Sequence, residues 1–254
     1  MQPPQARPNS KLSAAAERPH VSLFVTCVVD QVFPAVGIAM ADVLERLGCT
    51  VEFRRDQTCC GQPAFNSGFR TEARSVAEHF LKTFEGATHI IVPSGSCCSM
   101  ITHHFADVFE PGDPRVADLE HRVFEFSSFL VDVLGVEDVG AKLDGVATYH
   151  DSCHALRELK IKDAPRRLLS HVQGLKIAEM DAAEECCGFG GTFSVKFADI
   201  SGGMARTKID SIERTGAGIV VSIDSSCLMQ LQGALSRAKS PVRTMHLAEV
   251  LASR

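Results

Sequence analysis

TCCGQP, residues 58–63, and ECCGFGG, residues 185–191, share the tripeptide Cys-Cys-Gly. Adjacent cysteines are uncommon, and finding the same pair twice calls for a test of internal repetition. The other thiols pass it. Cys27 recurs as Cys153, Cys59–Cys60 as Cys186–Cys187, and Cys97 as Cys227, at offsets of 126, 127 and 130 residues. The last pair also shares its setting, SGSC at 94–97 and DSSC at 224–227, and each half ends in a similar amphipathic piece, FLVDVL at 129–134 and HLAEVL at 246–251. The chain reads as a duplication: a disordered lead-in over 1–19, rich in Pro, Ser and Ala, a first cysteine-rich repeat over 20–139 and a second over 140–254.

Between the cysteines the pattern alternates. Short apolar runs predict buried strands at 21–25, 50–53 and 89–92, then at 146–149, 176–180 and 218–223. Helical spacing lies between them. Pro34 to Leu47 carries Val36, Met40, Val43, Leu44 and Leu47, with Pro near the start and Gly48 just past the end. Pro165 to Val172, closed by Gly174, is its shorter counterpart, and Phe69, Ala73, Val76, Phe80 and Phe84 mark another helix face. Strand alternating with helix predicts an α/β fold of two duplicated βαβ-type units with parallel sheets. The repeated thiols then fall on loops after the carboxyl ends of strands, where open α/β sheets hold ligands, with one crevice expected per unit.

Composition bounds the function. Of 254 residues, 45% are apolar, enough for a core that needs no disulfide staples. The net charge of −5 argues against nucleic acid as a partner. No apolar run of about 18 residues is present, so no membrane span is expected. Ten cysteines and no apolar leader imply a reducing compartment, the cytoplasm, where thiols serve metals or catalysis. The two candidate ligand sets are Cys27, Cys59, Cys60 and Cys97, and Cys153, Cys186, Cys187 and Cys227. Four convergent thiolates suit zinc or an iron–sulfur cluster. Structural zinc favours short CxxC knuckles, which this chain lacks. A multi-iron cluster accepts adjacent thiolates more readily than a single ion, so one cluster per repeat, of the [4Fe–4S] type, is the expectation.

Around the thiols, Gly188, Gly190 and Gly191 can bring backbone N–H groups to an anionic centre, and Ser94, Ser96, Ser225 and Ser226 can add hydrogen bonds. His150 and His154 flank Cys153 in HDSCH. They are read as hydrogen-bonding neighbours of the cluster, with iron ligation and proton transfer as the alternatives. Cys49, in the helix-to-strand turn LGCTVEF, has no counterpart in the second repeat and reads as a packing residue; Cys98 reads as a spare buried thiol, with a fifth ligand of altered geometry as the alternative.

The doubled pattern C…CCG…C, with PSGSC, HDSCH, CCGFGGTF and DSSCLM, resembles the cysteine-rich CCG-domain proteins. These include the cysteine-rich subunit of heterodisulfide reductase and the iron–sulfur subunits of glycolate and glycerol-3-phosphate dehydrogenases. Over residues 20–254 the chain is most similar to the lactate-utilisation protein A family. That resemblance implies an iron–sulfur electron-transfer subunit, inactive alone, in a system oxidising L-lactate to pyruvate. Its implied partners are a ferredoxin-like iron–sulfur subunit and a third subunit. The fullest family pattern ends each repeat in CxxC. Here the first of those positions holds Ser94 and Asp224, leaving four thiols per repeat. No G-x-G-x-x-G opens a helix after a strand, so no nicotinamide or flavin fingerprint is present. A thiol–disulfide reductase, which would need an exposed iron position or a reactive free thiol such as Cys98, and a zinc-binding interaction module are the competing functions.

Overall fold

The computed structural model describes residues 19–254, so the lead-in expected over 1–19 lies, up to residue 18, outside the described residues. The first unit runs β1 (His20–Leu23), α1 (Cys27–Val32), α2 (Pro34–Arg46), β2 (Thr50–Phe53), α3 (Gln62–Asn66), α4 (Arg70–Thr83), β3 (Ile90–Val92) and α5 (Gly95–Ser99), which continues as a π-helical turn, Met100–His104. It closes with α6 (Pro114–Ala117), α7 (Leu119–Arg122), β4 (Val123–Glu125) and α8 (Phe126–Ser128). The second unit runs β5 (Lys142–Tyr149), α9 (Cys153–Arg157), α10 (Asp163–Ser170), β6 (Gln173–Ile177), α11 (Thr192–Lys196), α12 (Ala198–Arg214), β7 (Ile219–Ser222), α13 (Ser225–Arg237), β8 (Arg243–His246) and α14 (Leu247–Ala252).

Each unit is a four-stranded, all-parallel sheet, in the orders β2-β1-β3-β4 and β6-β5-β7-β8. The chain first winds outward from β1 to β2, then returns past β1 to β3. Strand order therefore reverses between β1 and β3, and likewise between β5 and β7, which opens a crevice at the carboxyl edge. The expected α/β duplication is what the chain forms. Helix α2 follows its sequence pattern: Pro34 opens it, Val36, Ala39, Met40, Val43 and Leu44 bury one face, and Gly48 ends it at φ +86°.

Both fourth strands escape the sequence reading. β4 is three residues long and β8 is Arg-Thr-Met-His, too short or too polar to register as an apolar run. They also align the unit ends differently from the sequence match. Glu125 caps α8 after β4, and His246 caps α14 after β8, so Glu125 is the structural counterpart of His246.

The two units share a core. One apolar cluster joins Val21, Met40, Leu44 and Phe129 of the first unit to Tyr149, Leu168, Val221 and Leu251 of the second. Helix α2 packs on α14, and Arg46 of α2 donates from Nη1 to the Val139 and Leu251 carbonyls (3.1 and 3.3 Å) and from Nη2 to Ala252 (3.2 Å). Full burial of one Val or Leu side chain contributes about 1.5–3 kcal/mol, against about 0.5–1.5 for one such hydrogen bond, so the apolar contact dominates this junction. No helix of the described residues is long and apolar enough to cross a membrane.

Candidate metal centre

Each thiol set is assembled by three loops at the carboxyl edge of one sheet. Cys27 follows β1 at the first position of α1, Cys59–Cys60 follow β2, and Cys97 follows β3 inside the first turn of α5. Cys153, Cys186–Cys187 and Cys227 hold the same places around β5, β6 and β7. In the first set Cys27 Sγ lies 3.6 Å from Cys59 Sγ, and Cys60 Sγ 3.3 Å from Cys97 Sγ. Tetrahedral thiolates around one metal at about 2.3 Å would lie about 3.8 Å apart, so these pairs are within metal-bridging reach.

The adjacent cysteines are aimed by the glycine that follows them. Gly61 (φ +82°) and Gly188 (φ +85°) take the left-handed region, and each donates its N–H to the first thiol of its pair, Cys59 Sγ and Cys186 Sγ, both at 3.4 Å. A side chain at Gly188 would also strike the Ser201 carbonyl, 2.7 Å from its Cβ position. Within each set the charge collects on this first thiol. Hydrogen bonds from Cys27 and Cys60 lower Cys59 to about 3, and those from Cys153 and Cys187 lower Cys186 to about 2. The same hydrogen bonds, with burial, raise Cys27, Cys60, Cys153 and Cys187. Burial and neighbouring thiols thus disfavour further negative charge at Cys27, Cys60, Cys153 and Cys187. Eight sulfur donors in two groups, each half buried and half at the crevice surface, are what a metal or iron–sulfur centre satisfies.

The expectation of one crevice per unit is corrected. Both sets line a single crevice of about 160 Å³, because the units pack with their carboxyl edges converging. Gly95 of α5 approaches α9 so closely that a Cβ there would sit 2.5 Å from the Ala155 Cβ. Asp224 lies in the wall between the sets, buried. Its Oδ2 accepts from Ser94 Oγ (3.1 Å), Ser96 N (2.9 Å) and Ser152 Oγ (3.5 Å), and its Oδ1 from Ser226 N (3.1 Å). Ser94 and Asp224, equivalent in the two repeats, form a backbone bridge with each other.

A cysteine-rich domain model, CCG, matches residues 21–102 and 147–232, one match per sheet. The chain is 49% identical over 239 residues to the lactate utilization protein A of Anoxybacillus flavithermus, covering 91% of this chain and 98% of that one. It is 48% identical to the protein of the same name from Geobacillus kaustophilus, covering 92% and 99%. The chain belongs to the lactate utilization protein A family. Among solved structures, a hypothetical protein from Helicobacter pylori superposes with a TM-score of 0.66 at 11% identity; 93% of this chain is covered and about half, 49%, of that one, which shows the fold alone.

In this member of the lactate utilization protein A family the two sites differ in what stands behind the thiols. Behind the first, Phe24 packs edge-on against Phe80 and Phe84, with ring centroids 5.1 and 5.7 Å away. Behind the second, His150 occupies the place of Phe24, and Lys208 the place of Phe80: Ala73, Ala77 and Phe80 on α4 match Ser201, Ala205 and Lys208 on α12 in burial and spacing. Lys208 is 1% exposed and its Nζ donates to the Ala182 and Ala183 carbonyls. Burial, and secondarily the Lys208 charge, depress His150 to about 3, so its ring is neutral at physiological pH. Asp151 is held by a two-pronged bond from Arg166 (2.9 and 2.8 Å), which fixes the loop carrying Cys153.

Of the other residues singled out in the sequence, His154 lines the crevice with Nδ1 3.6 Å from Cys153 Sγ, and Gly190, Gly191, Ser96 and Ser226 line it too. Ser225 is buried without a partner for its Oγ among the described residues. Cys49 lies in the apolar core shared by the units, and Cys98 in the first unit's core, neither lining the crevice. Sequence reasoning missed Asp224 as a shared acceptor and Lys208 as a buried cation. A comparison of α4 with α12, Phe for Lys at one aligned position, carries the second signal.

Proposed function

We propose that this chain is an iron–sulfur electron-transfer subunit serving L-lactate oxidation to pyruvate, in which the units over about 20–139 and 140–254 each hold one cluster of the [4Fe–4S] type. Cys27, Cys59, Cys60 and Cys97 would hold the first, and Cys153, Cys186, Cys187 and Cys227 the second. The lactate assignment rests on what the relatives' name says of them. The observation that carries the cluster reading is the convergence of two four-thiol sets, each with a glycine N–H on its first thiol, upon one crevice. When bound, such clusters supply one-electron transfer.

The chain's own residues do the rest. Helix starts at Cys27, Cys97, Cys153 and Cys227 present backbone dipoles to negative sulfur. Gly61 and Gly188 donate to it. Asp224 fixes the wall between the sites. A ferredoxin-like iron–sulfur subunit and a third subunit would complete the reaction, in the cytoplasm. Of the two routes to a thiol–disulfide reductase, an exposed iron position or a reactive free thiol, the second is not open to Cys98, which at 1% exposure lacks the access that role needs.

Anaerobically purified protein should contain iron and acid-labile sulfide in near-equal amounts, with broad visible absorbance. Each of Cys60→Ser and Cys187→Ser should remove about half of both. Stoichiometric zinc without sulfide would overturn the proposal.

A further inference from the structure

We infer that the second site, on the reading above that it holds an iron–sulfur centre, takes an imidazole as well as thiolates: His150 is a ligand there, and the first site has no equivalent. His150 leaves the end of β5 with its N–H on the Val221 carbonyl (2.8 Å), which fixes its backbone at the carboxyl edge of the sheet. Its ring is fully buried; the Ala183 backbone faces it, but neither Nδ1 nor Nε2 makes a hydrogen bond of standard length and angle among the described residues. A ring nitrogen of His150, Cys187 Sγ and Cys227 Sγ all lie within 4.8 Å of one another. An imidazole nitrogen and a thiolate bound to one tetrahedral metal lie about 3.6 Å apart, given bonds of about 2.0 and 2.3 Å. The ring nitrogen therefore lies within reach of the metal centre that Cys187 and Cys227 would help to hold.

Three arguments favour ligation over an accidental polar residue. A buried polar group without a partner costs about 1–3 kcal/mol, and a bond to metal removes that cost. The ring makes no hydrogen bond of standard geometry to either sulfur, so it is not held in place as a donor to the thiols. The first repeat shows the apolar solution to the same space, Phe24 packed on Phe80 and Phe84. The second repeat uses a metal-binding side chain there instead.

The full-length chain, grown with ¹⁵N-histidine and purified anaerobically, tests this by pulsed EPR of the reduced protein. Wild type should show a strongly coupled histidine nitrogen, retained in His154→Ala. That coupling should vanish in His150→Phe and in His150→Gln, while at least half of the iron and sulfide remains. No strong coupling in an iron-loaded wild type would overturn the inference, and so would its persistence in either variant. If both variants fail to fold, the wild type and His154→Ala decide it: coupling kept in both supports His150, and coupling lost in His154→Ala overturns it. Iron and sulfide content reports separately on the cluster reading: without them in wild type, that reading fails before any nitrogen is measured.

Discussion

Asp224 is the residue on which the two halves meet. One buried carboxylate accepts four hydrogen bonds, two of them from Ser94 and Ser96 of the other repeat. Bonds to a charged acceptor contribute about 1.5–3 kcal/mol each, and an amide cannot replace them all, because its NH₂ would face a donor. Asp224→Asn should therefore lower stability to urea by about 2–4 kcal/mol and loosen both thiol sets together, seen as faster iron loss to a chelator from each. Cys49→Ala is the contrast. It trims a side chain in the shared core, so a loss of about 1 kcal/mol with unchanged iron is expected. Half the iron lost from Cys49→Ala, or chelator kinetics untouched in Asp224→Asn, would contradict this division.

At the scale of elements, the caps of α8 and α14 carry opposite pH signatures. Burial raises Glu125 to about 7, although Ser127 and Ser128 donate to it. Native protein then binds this proton more tightly than unfolded chain, so the Glu125 contribution is full below about pH 4.5 and lost as pH rises through 7. Burial depresses His246 to about 4, so its contribution is full above about 6.5 and lost as pH falls through 4. Glu125→Gln removes only the first. The stability of wild type minus variant should fall by about 3 kcal/mol between pH 4 and pH 8, measured by urea midpoints; a flat difference would show that Glu125 titrates normally. Neither cap was legible in the sequence, because both follow strands too short or too polar to register. What was legible rested on strong local signals: α2 between Pro34 and Gly48, the strands at 50–53 and 219–222, and eight thiols at matched offsets. The single crevice was not, since it depends on how two sheets pack, and no periodicity within either repeat encodes that.

For the whole molecule the question is whether two repeats make two folding units or one. A duplicated chain with two sheets invites the first answer, and the core argues for the second. Met40 and Leu44 of α2 and Leu251 of α14 are fully buried in one cluster, and separating the units would return such side chains to water at about 1.5–3 kcal/mol each. A handful of them equals the whole stability of a typical domain, so neither unit is expected to persist alone. The chain supplies its own probe. It has no Trp and a single Tyr, Tyr149, buried at the end of β5 within the shared cluster. Under urea, with chelator present so that metal loss is not limiting, Tyr149 fluorescence and far-ultraviolet circular dichroism should trace one coincident transition. Arg46→Ala, which removes two bonds from α2 to the second unit, at Leu251 and Ala252, should shift both traces equally toward lower urea. Two separated transitions, or a shift confined to one probe, would mean that the repeats fold independently and that the common crevice forms only by docking.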